Sequence, residues 1–212
     1  MALAGTVARL RGLLGRQPPI ATPGDLGDYL SGQASLIAQK ATIEYCRLKA
    51  AGHWTSLLSE EPFAAALARV QWDAFAAVLS DAAVVAEGKL RPHAGHRAPE
   101  LADALTALAR GALAAYPLPA HRPEGWDDIL AALRDRLAHA QLAAPRPVRE
   151  VARHGGDVAY DGMPIHPSLR AHDRALLRSN VAFNLCRTAE DLERRADLPA
   201  LTAALLDGLA PA

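Results

Sequence analysis

The sequence predicts an all-α protein, folded as a compact bundle of about seven helices. Alanine, leucine and arginine, which have the highest helix propensities, are abundant along the chain. Apolar residues recur at the three- and four-residue spacing of amphipathic helices in successive segments, and loops rich in proline and glycine separate these segments.

Each predicted helix follows from this spacing and from residues typical of helix ends. The predicted ranges are 25–51, 62–87, 99–115, 125–143, 167–191 and 199–209. Asp25 lies in the first turn of the first range and Gly52 follows its end, as capping chemistry prefers. In the range 62–87 the spacing places Phe63, Leu67 and Val70 towards the core and Ser80 and Glu87 towards solvent.

The stretch from 144 to 165 does not show this regularity. Gly155 and Gly156 interrupt "HGGDVAYDGMPI", and Val158 and Tyr160 alternate with polar neighbours. Such alternation between glycines is typical of a short strand or hairpin. We therefore expect one irregular, hairpin-like stretch near 154–165.

The domain organisation predicted is a single helical domain, 25–212, preceded by an N-terminal amphipathic helix and linker, 1–24. Leu3, Val7, Leu10 and Leu14 share one face of that helix, which also carries Arg9, Arg11 and Arg16. Residues 3–16 could dock on the domain, contact a partner chain, or lie weakly on a membrane surface. Liposome co-sedimentation of a chain lacking 3–16 tests the membrane alternative.

Composition limits the classes of function. The 212 residues have a formal net charge of +0, so a nucleic-acid binder with a generally basic surface is not expected. The chain has no run of about 18 apolar residues and no recognisable secretion signal. Its two cysteines, Cys46 and Cys186, are too few for a disulfide framework, so we expect a cytoplasmic protein.

The segment "HPSLRAHDR" at 166–174 holds the densest group of histidines and aspartate. His172–Asp173 resembles the His-Asp doublet of the HD phosphohydrolase superfamily, an all-α family in which the doublet binds metal with further His and Asp ligands. The resemblance covers these two residues alone, and no spacing singles out further ligands. We therefore predict no metal site and no cofactor, with Pro167 in the first turn of a helix and His172 facing the core beside Leu176 and Phe183.

The predicted helices 25–51 and 167–191 carry polar residues beside or within their apolar faces. Unpaired buried charges are costly, so such residues should pair with each other, meet water or contact a ligand. The predicted pairs are Glu44 with Arg187 and Asp173 with Lys40 or Arg47. Asn180 and Asn184 are predicted to pair with Gln33. The complete set of candidate ligand-binding residues is Gln33, Lys40, Glu44, Arg47, Asp173, Asn180, Asn184 and Arg187.

Three interpretations of these polar faces are open. They are the rim of a subunit interface, a structural network between helices, or the lining of a pocket for a small polar or anionic ligand. The first makes the protein a non-enzymatic interaction or scaffold module with a homo-oligomeric or helical protein partner. The third makes it a ligand binder or enzyme that uses the helices 25–51 and 167–191. The sequence leaves catalysis undecided, because it contains no recognised nucleophile or phosphate-binding motif.

Overall fold

The computed structural model describes residues 17–208, and every regular element in that range is helical, which confirms the all-α prediction. A π-helical segment spans Lys40–Glu44, and 3₁₀ turns cover Ala51–His53, Arg91–His93 and Gly95–Arg97. The predicted helix within 3–16 lies outside the described residues. In chain order the helices are α1 (Pro23–Gln39), α2 (Tyr45–Ala50), α3 (Trp54–Ser59), α4 (Glu61–Leu90), α5 (Glu100–Ala114), α6 (Asp127–Ala140), α7 (Val148–Val151), α8 (His154–Gly162), α9 (Pro167–Arg170), α10 (Arg174–Arg195) and α11 (Leu198–Asp207).

The long helix α4 is the centre of the fold. Every residue from Ala74 to Glu87 is buried, because α1, α5, α6, α8 and α10 all contact this helix. A helix enclosed on all sides has no solvent face. The predicted exposure of Ser80 and Glu87 is therefore wrong: both are buried, and Ser80 Oγ donates to the carbonyl oxygen of Ala76 at 3.0 Å. Although α4 is largely apolar, no helix between residues 17 and 208 is long and apolar enough to cross a bilayer.

Helix α1 begins with a capping box. Thr22 Oγ1 accepts a hydrogen bond from the Asp25 N–H at 3.1 Å, and Asp25 Oδ2 accepts one from the Thr22 N–H at 2.9 Å. These bonds satisfy backbone donors that a helix start otherwise leaves free. They explain why the helix starts at Pro23, close to the predicted start at 25.

The stretch predicted as a hairpin is the helix α8. A Cβ atom at Gly155 would lie 2.5 Å from Val78 Cγ2, and one at Gly156 would lie 2.7 Å from the Cα atom of Arg178. The two glycines therefore allow α8 to pack closely against α4 and α10. A glycine costs a helix only about 1 kcal/mol relative to alanine, and close packing on two sides offsets this cost.

The helix predicted over 167–191 is broken. It consists of the short α9 and of α10, with a turn between them at 171–173. The buried face of α10 is formed by Leu177, Val181, Leu185 and Leu192. The prediction that His172 faces the core beside Leu176 and Phe183 is wrong, because all three side chains are exposed.

Candidate functional site

The four candidate residues of the first predicted range occupy different surroundings. Gln33 is half-buried in α1, and its Oε1 accepts a hydrogen bond from Thr188 Oγ1 of α10 at 3.4 Å. Lys40 is half-buried and Glu44 is exposed, at the two ends of the π-helical segment. Arg47 is exposed in α2. Of these residues, Gln33 is the one whose side chain is hydrogen-bonded to α10, although its partner is Thr188 and not an asparagine.

Asp173 connects the start of α10 to α2. Its Oδ2 accepts a hydrogen bond from Tyr45 Oη at 2.6 Å and lies 2.5 Å from Lys49 Nζ. The hydrogen bonds from Lys49 and Tyr45 hold the pKa of the Asp173 carboxyl below its usual range. The predicted pairing of Asp173 with Lys40 or Arg47 is therefore wrong, because its partners are Tyr45 and Lys49.

The other candidates lie towards the outside of α10. Asn184 Nδ2 donates to the carbonyl oxygen of Asn180, one turn earlier, at 2.8 Å. Arg187 is exposed, and within residues 17–208 no ion pair joins it to Glu44, so that predicted pair is also wrong. The eight candidate residues thus separate into four groups: the contact of Gln33 with Thr188, the cluster at Asp173, the contact between Asn180 and Asn184 within α10, and four charged side chains that form no ion pair with another described residue.

The outer face of α10 carries large apolar side chains. Leu176 is 56% exposed and Phe183 is 62% exposed. They are seven residues apart, so they point to nearly the same side of the helix. Exposed apolar side chains that recur along one helix face are typical of a surface that contacts another molecule.

A groove runs between this face and α7, and we call it the α7–α10 groove. Its volume is about 470 Å³. Its lining combines the Phe183 ring with three arginines; the lining residues are Arg149, Arg153, Ala175, Arg178, Ser179, Ala182, Phe183 and Cys186. Arg178 Nε donates to Asp157 Oδ1 at 2.7 Å, whereas Arg149 and Arg153 form no ion pair with another described residue. The groove is therefore apolar at one wall and positively charged around it.

The two cysteines differ in accessibility. Cys46 is fully buried beside Met163, and burial raises the pKa of its thiol to about 12. Cys186 is half-buried and lines the α7–α10 groove. A thiol reagent should therefore report on the groove through Cys186.

A second cleft, of about 560 Å³, is polar and contains a His-Asp contact. His121 Nε2 lies 3.1 Å from Asp73 Oδ1, and Arg122 Nε lies 3.5 Å from the same oxygen. The lining of this cleft includes no serine, threonine or cysteine, so the pair has no nucleophile to activate. Across residues 17–208, no group of three or more His, Cys, Asp or Glu side chains is arranged to hold a metal ion.

Sequence reasoning missed the groove because α10 carries two apolar stripes. Relative to Leu176, the buried stripe that includes Leu177 and Leu185 lies at about 100–180°, while Phe183 lies about 20° from Leu176. The longer stripe is buried. The presence of a second stripe on one helix was the signal that could have indicated an exposed apolar face.

Comparison with known proteins adds no functional information. No protein-family model matches this sequence, and no curated protein or solved structure is significantly similar to it.

Proposed function

We propose that this protein is a non-enzymatic interaction module that binds an acidic amphipathic helix of a partner protein in the α7–α10 groove. The observation that carries the proposal is Phe183, an aromatic side chain 62% exposed on a groove lined by arginines. Aromatic and arginine side chains are the types that most often dominate binding energy at interfaces. An amphipathic helix docks by placing apolar side chains into a groove of this kind.

The charge of the groove favours an acidic partner. Arg149 and Arg153 are exposed at its rim and have no acidic partner among the described residues. Glutamates that flank the apolar side chains of a bound helix would pair with these guanidinium groups. Complementary charge of this kind speeds association and disfavours wrong partners.

The same charges disfavour a second copy as the occupant. In a symmetric dimer the same patch of both copies meets itself. Two copies joined through this groove would bring the side chains of Arg149, Arg153 and Arg178 towards those of the other copy. Self-association, which the sequence suggested, is therefore the alternative outcome of the test.

A cytoplasmic location is part of this proposal. Cys46 and Cys186 are both free thiols, and Cys186 is accessible at the groove. Free thiols persist in the reducing environment of the cytosol.

The proposal is tested with a synthetic helical peptide of about 18 residues, long enough to be helical in isolation, with leucines on one face and glutamates elsewhere. Fluorescence anisotropy should show saturable binding, and a peptide with lysines in place of the glutamates should not bind. Phe183→Asp should weaken binding at least tenfold, or about 1.4 kcal/mol. Leu142→Asp, at a leucine that is 80% exposed but does not line the groove, is the matched control and should leave binding unchanged.

Two further measurements complete the test. Bound peptide should slow the reaction of Cys186 with a thiol reagent, because both occupy the groove. Sedimentation equilibrium detects self-association. If the wild type is a dimer and Phe183→Asp is a monomer, the occupant of the groove is a second copy of this chain and not the helix of a partner protein. Equal binding of the lysine peptide, or unchanged binding by Phe183→Asp, would overturn the proposal.

A further inference from the structure

Glu87 is a buried carboxylate without a hydrogen-bond donor. Its side chain is 1% exposed, and within the described chain no N–H or O–H donates to either carboxylate oxygen. Arg91 Nε lies 3.1 Å from Oε1 but is not aligned to donate a hydrogen bond. The neighbouring amide of Gln141 donates instead to the carbonyl oxygen of Ala98 at 2.8 Å. The ion pair with Arg91 offsets the charge of Glu87 but leaves its two oxygens without a hydrogen bond. Buried acceptors are normally hydrogen-bonded to protein, water or ligand, so the carboxylate is positioned to accept from a donor outside the chain.

This carboxylate lines a cavity of about 260 Å³ between the end of α4 and the segment that connects α6 to α7. The walls are mostly apolar, with Val84, Val148 and Val151 among them, and the exposed residues Pro145 to Pro147 reach the surface. Cavities that hold drug-sized ligands begin at about 300 Å³. The volume therefore suits a molecule smaller than a typical drug.

The charges around the cavity select the kind of molecule. Arg91 and Arg146 line it as cations, and so does Lys89, whose Nζ is held 2.7 Å from Glu193. A simple cation would be repelled by the two arginines, and a simple anion would leave the Glu87 oxygens without a hydrogen-bond donor. A zwitterion avoids both conflicts, because its ammonium group can donate to Glu87 while its carboxylate faces the Arg146 guanidinium at the mouth.

We infer that this cavity binds a free α-amino acid with a small apolar side chain, with the ammonium group at Glu87 and the carboxylate towards Arg146. The valine side chains of the wall provide the apolar contact for the ligand's side chain. The site is distinct from the α7–α10 groove, although α7 contributes Val148 and Val151 to the cavity and Arg149 to the groove.

Three probes that share the isopropyl group of valine test this inference: L-valine, isobutylamine, which lacks the carboxylate, and isovalerate, which lacks the ammonium group. Isothermal titration calorimetry to about 10 mM ligand covers affinities weaker than 1 mM. L-valine should bind with one site per chain, and each of the other two probes should bind at least tenfold more weakly.

Two variants separate the contributions of the two charges. Glu87→Gln should weaken L-valine binding at least tenfold and leave isovalerate binding unchanged or stronger. Arg146→Ala, at an exposed position where folding is not at stake, should weaken L-valine and isovalerate but not isobutylamine. If Glu87→Gln proves unstable on thermal unfolding, Arg146→Ala and the three probes still decide the question.

The outcomes that overturn the inference are also distinct. If L-valine does not bind the wild-type chain, the cavity is not an amino-acid site. If isobutylamine or isovalerate binds as tightly as L-valine, the cavity does not select a zwitterion. Arg153→Glu, in the groove, should leave L-valine binding unchanged. Failure of this site is therefore distinguishable from failure of the proposed helix-binding function.

Discussion

Asp81 places a carboxylate in the middle of the central helix, where its side chain is 0% exposed. Arg136 Nη2 of α6 lies 2.5 Å from Oδ1, and the Gly155 N–H in the first turn of α8 donates to Oδ2 at 2.8 Å. Burial raises the pKa of Asp81, although Arg136 and the Gly155 N–H act in the opposite direction. The residue holds α4, α6 and α8 together, and it supplies an anion to the start of α8, where the helix dipole favours one.

We predict that Asp81→Ala lowers the free energy of unfolding by about 3–5 kcal/mol, because it leaves a partly buried Arg136 and the Gly155 N–H without their acceptor. Chemical denaturation provides the measurement. Asp103→Ala is the matched control, since Asp103 pairs with Arg134 at the surface, where both are more than half exposed. Its expected effect is below about 1 kcal/mol. Equal losses in the two variants would contradict the structural role of Asp81.

Among the elements, α8 shows how packing changes the meaning of a sequence pattern. The glycine pair interrupts local helix propensity, yet it stands where α8 meets α4 on one side and α10 on the other. The nearest atoms to a side chain at Gly156 would be backbone atoms of Arg178 and Leu177. Backbone cannot rotate away as a side chain can, so the contact depends on the absence of Cβ.

We predict that Gly156→Ala destabilises the fold by about 1–3 kcal/mol, the usual cost of inserting atoms into a well-packed contact. Gly32→Ala is the control, because apart from its chain neighbours and the backbone of α1 itself, no described atom lies within 4 Å of the Cβ position at Gly32. There the substitution should stabilise the protein by up to about 1 kcal/mol, since alanine is the better helix former. Urea unfolding of both variants checks the opposite signs, and a neutral Gly156→Ala would show that α8 can move.

The π-helical segment explains why the polar stripe of the first predicted helix has the wrong partners. A π-helical turn closes i→i+5 bonds and so contains more residues than an α-helical turn. A projection at 100° per residue is therefore valid up to Gln39 and loses register after it. Tyr45 and Lys49, and not Arg47, consequently reach Asp173.

For the whole molecule, the buried acids determine how stability depends on pH. Burial raises the pKa of Glu87 above the ordinary value of 4.5, against the opposing effect of Arg91. At pH values between the ordinary pKa of 4.5 and the raised pKa of the folded state, the folded protein therefore binds more protons than the unfolded chain. The contribution of Glu87 to stability is therefore complete below pH 4.5 and is lost as pH rises through the folded-state pKa. Asp157 and Asp191 act in the opposite sense, since paired arginines lower their pKa values against the effect of burial.

Glu87→Gln isolates this contribution, because glutamine does not titrate. As pH rises from about 4.5 towards 7, the wild type should lose the contribution of Glu87 while the variant should not. The free energy of unfolding of the variant should therefore increase relative to that of the wild type. Denaturation curves at a series of pH values, without added ligand, measure the difference. A gap that is constant with pH, or that favours the variant more at acid pH, would contradict the prediction.

Amphipathic spacing and helix caps are local properties of the chain, and they were enough to predict the all-α class. They also placed α4, α5, α6 and the continuous helical stretch from α1 to α2 to within a few residues, although the π-helical segment inside that stretch was not predicted. The sequence also identified Asp173 as a residue that needs a partner. The identity of that partner, the choice of the buried stripe of α10 and the burial of Glu87 follow only from how the helices pack. These outcomes depend on which helices pack together and at what distance, and residues far apart in sequence supply those contacts. Local sequence alone does not show whether Gly155 and Gly156 belong to a turn or to a helix. Their close contacts with α4 and α10 place them in the helix α8.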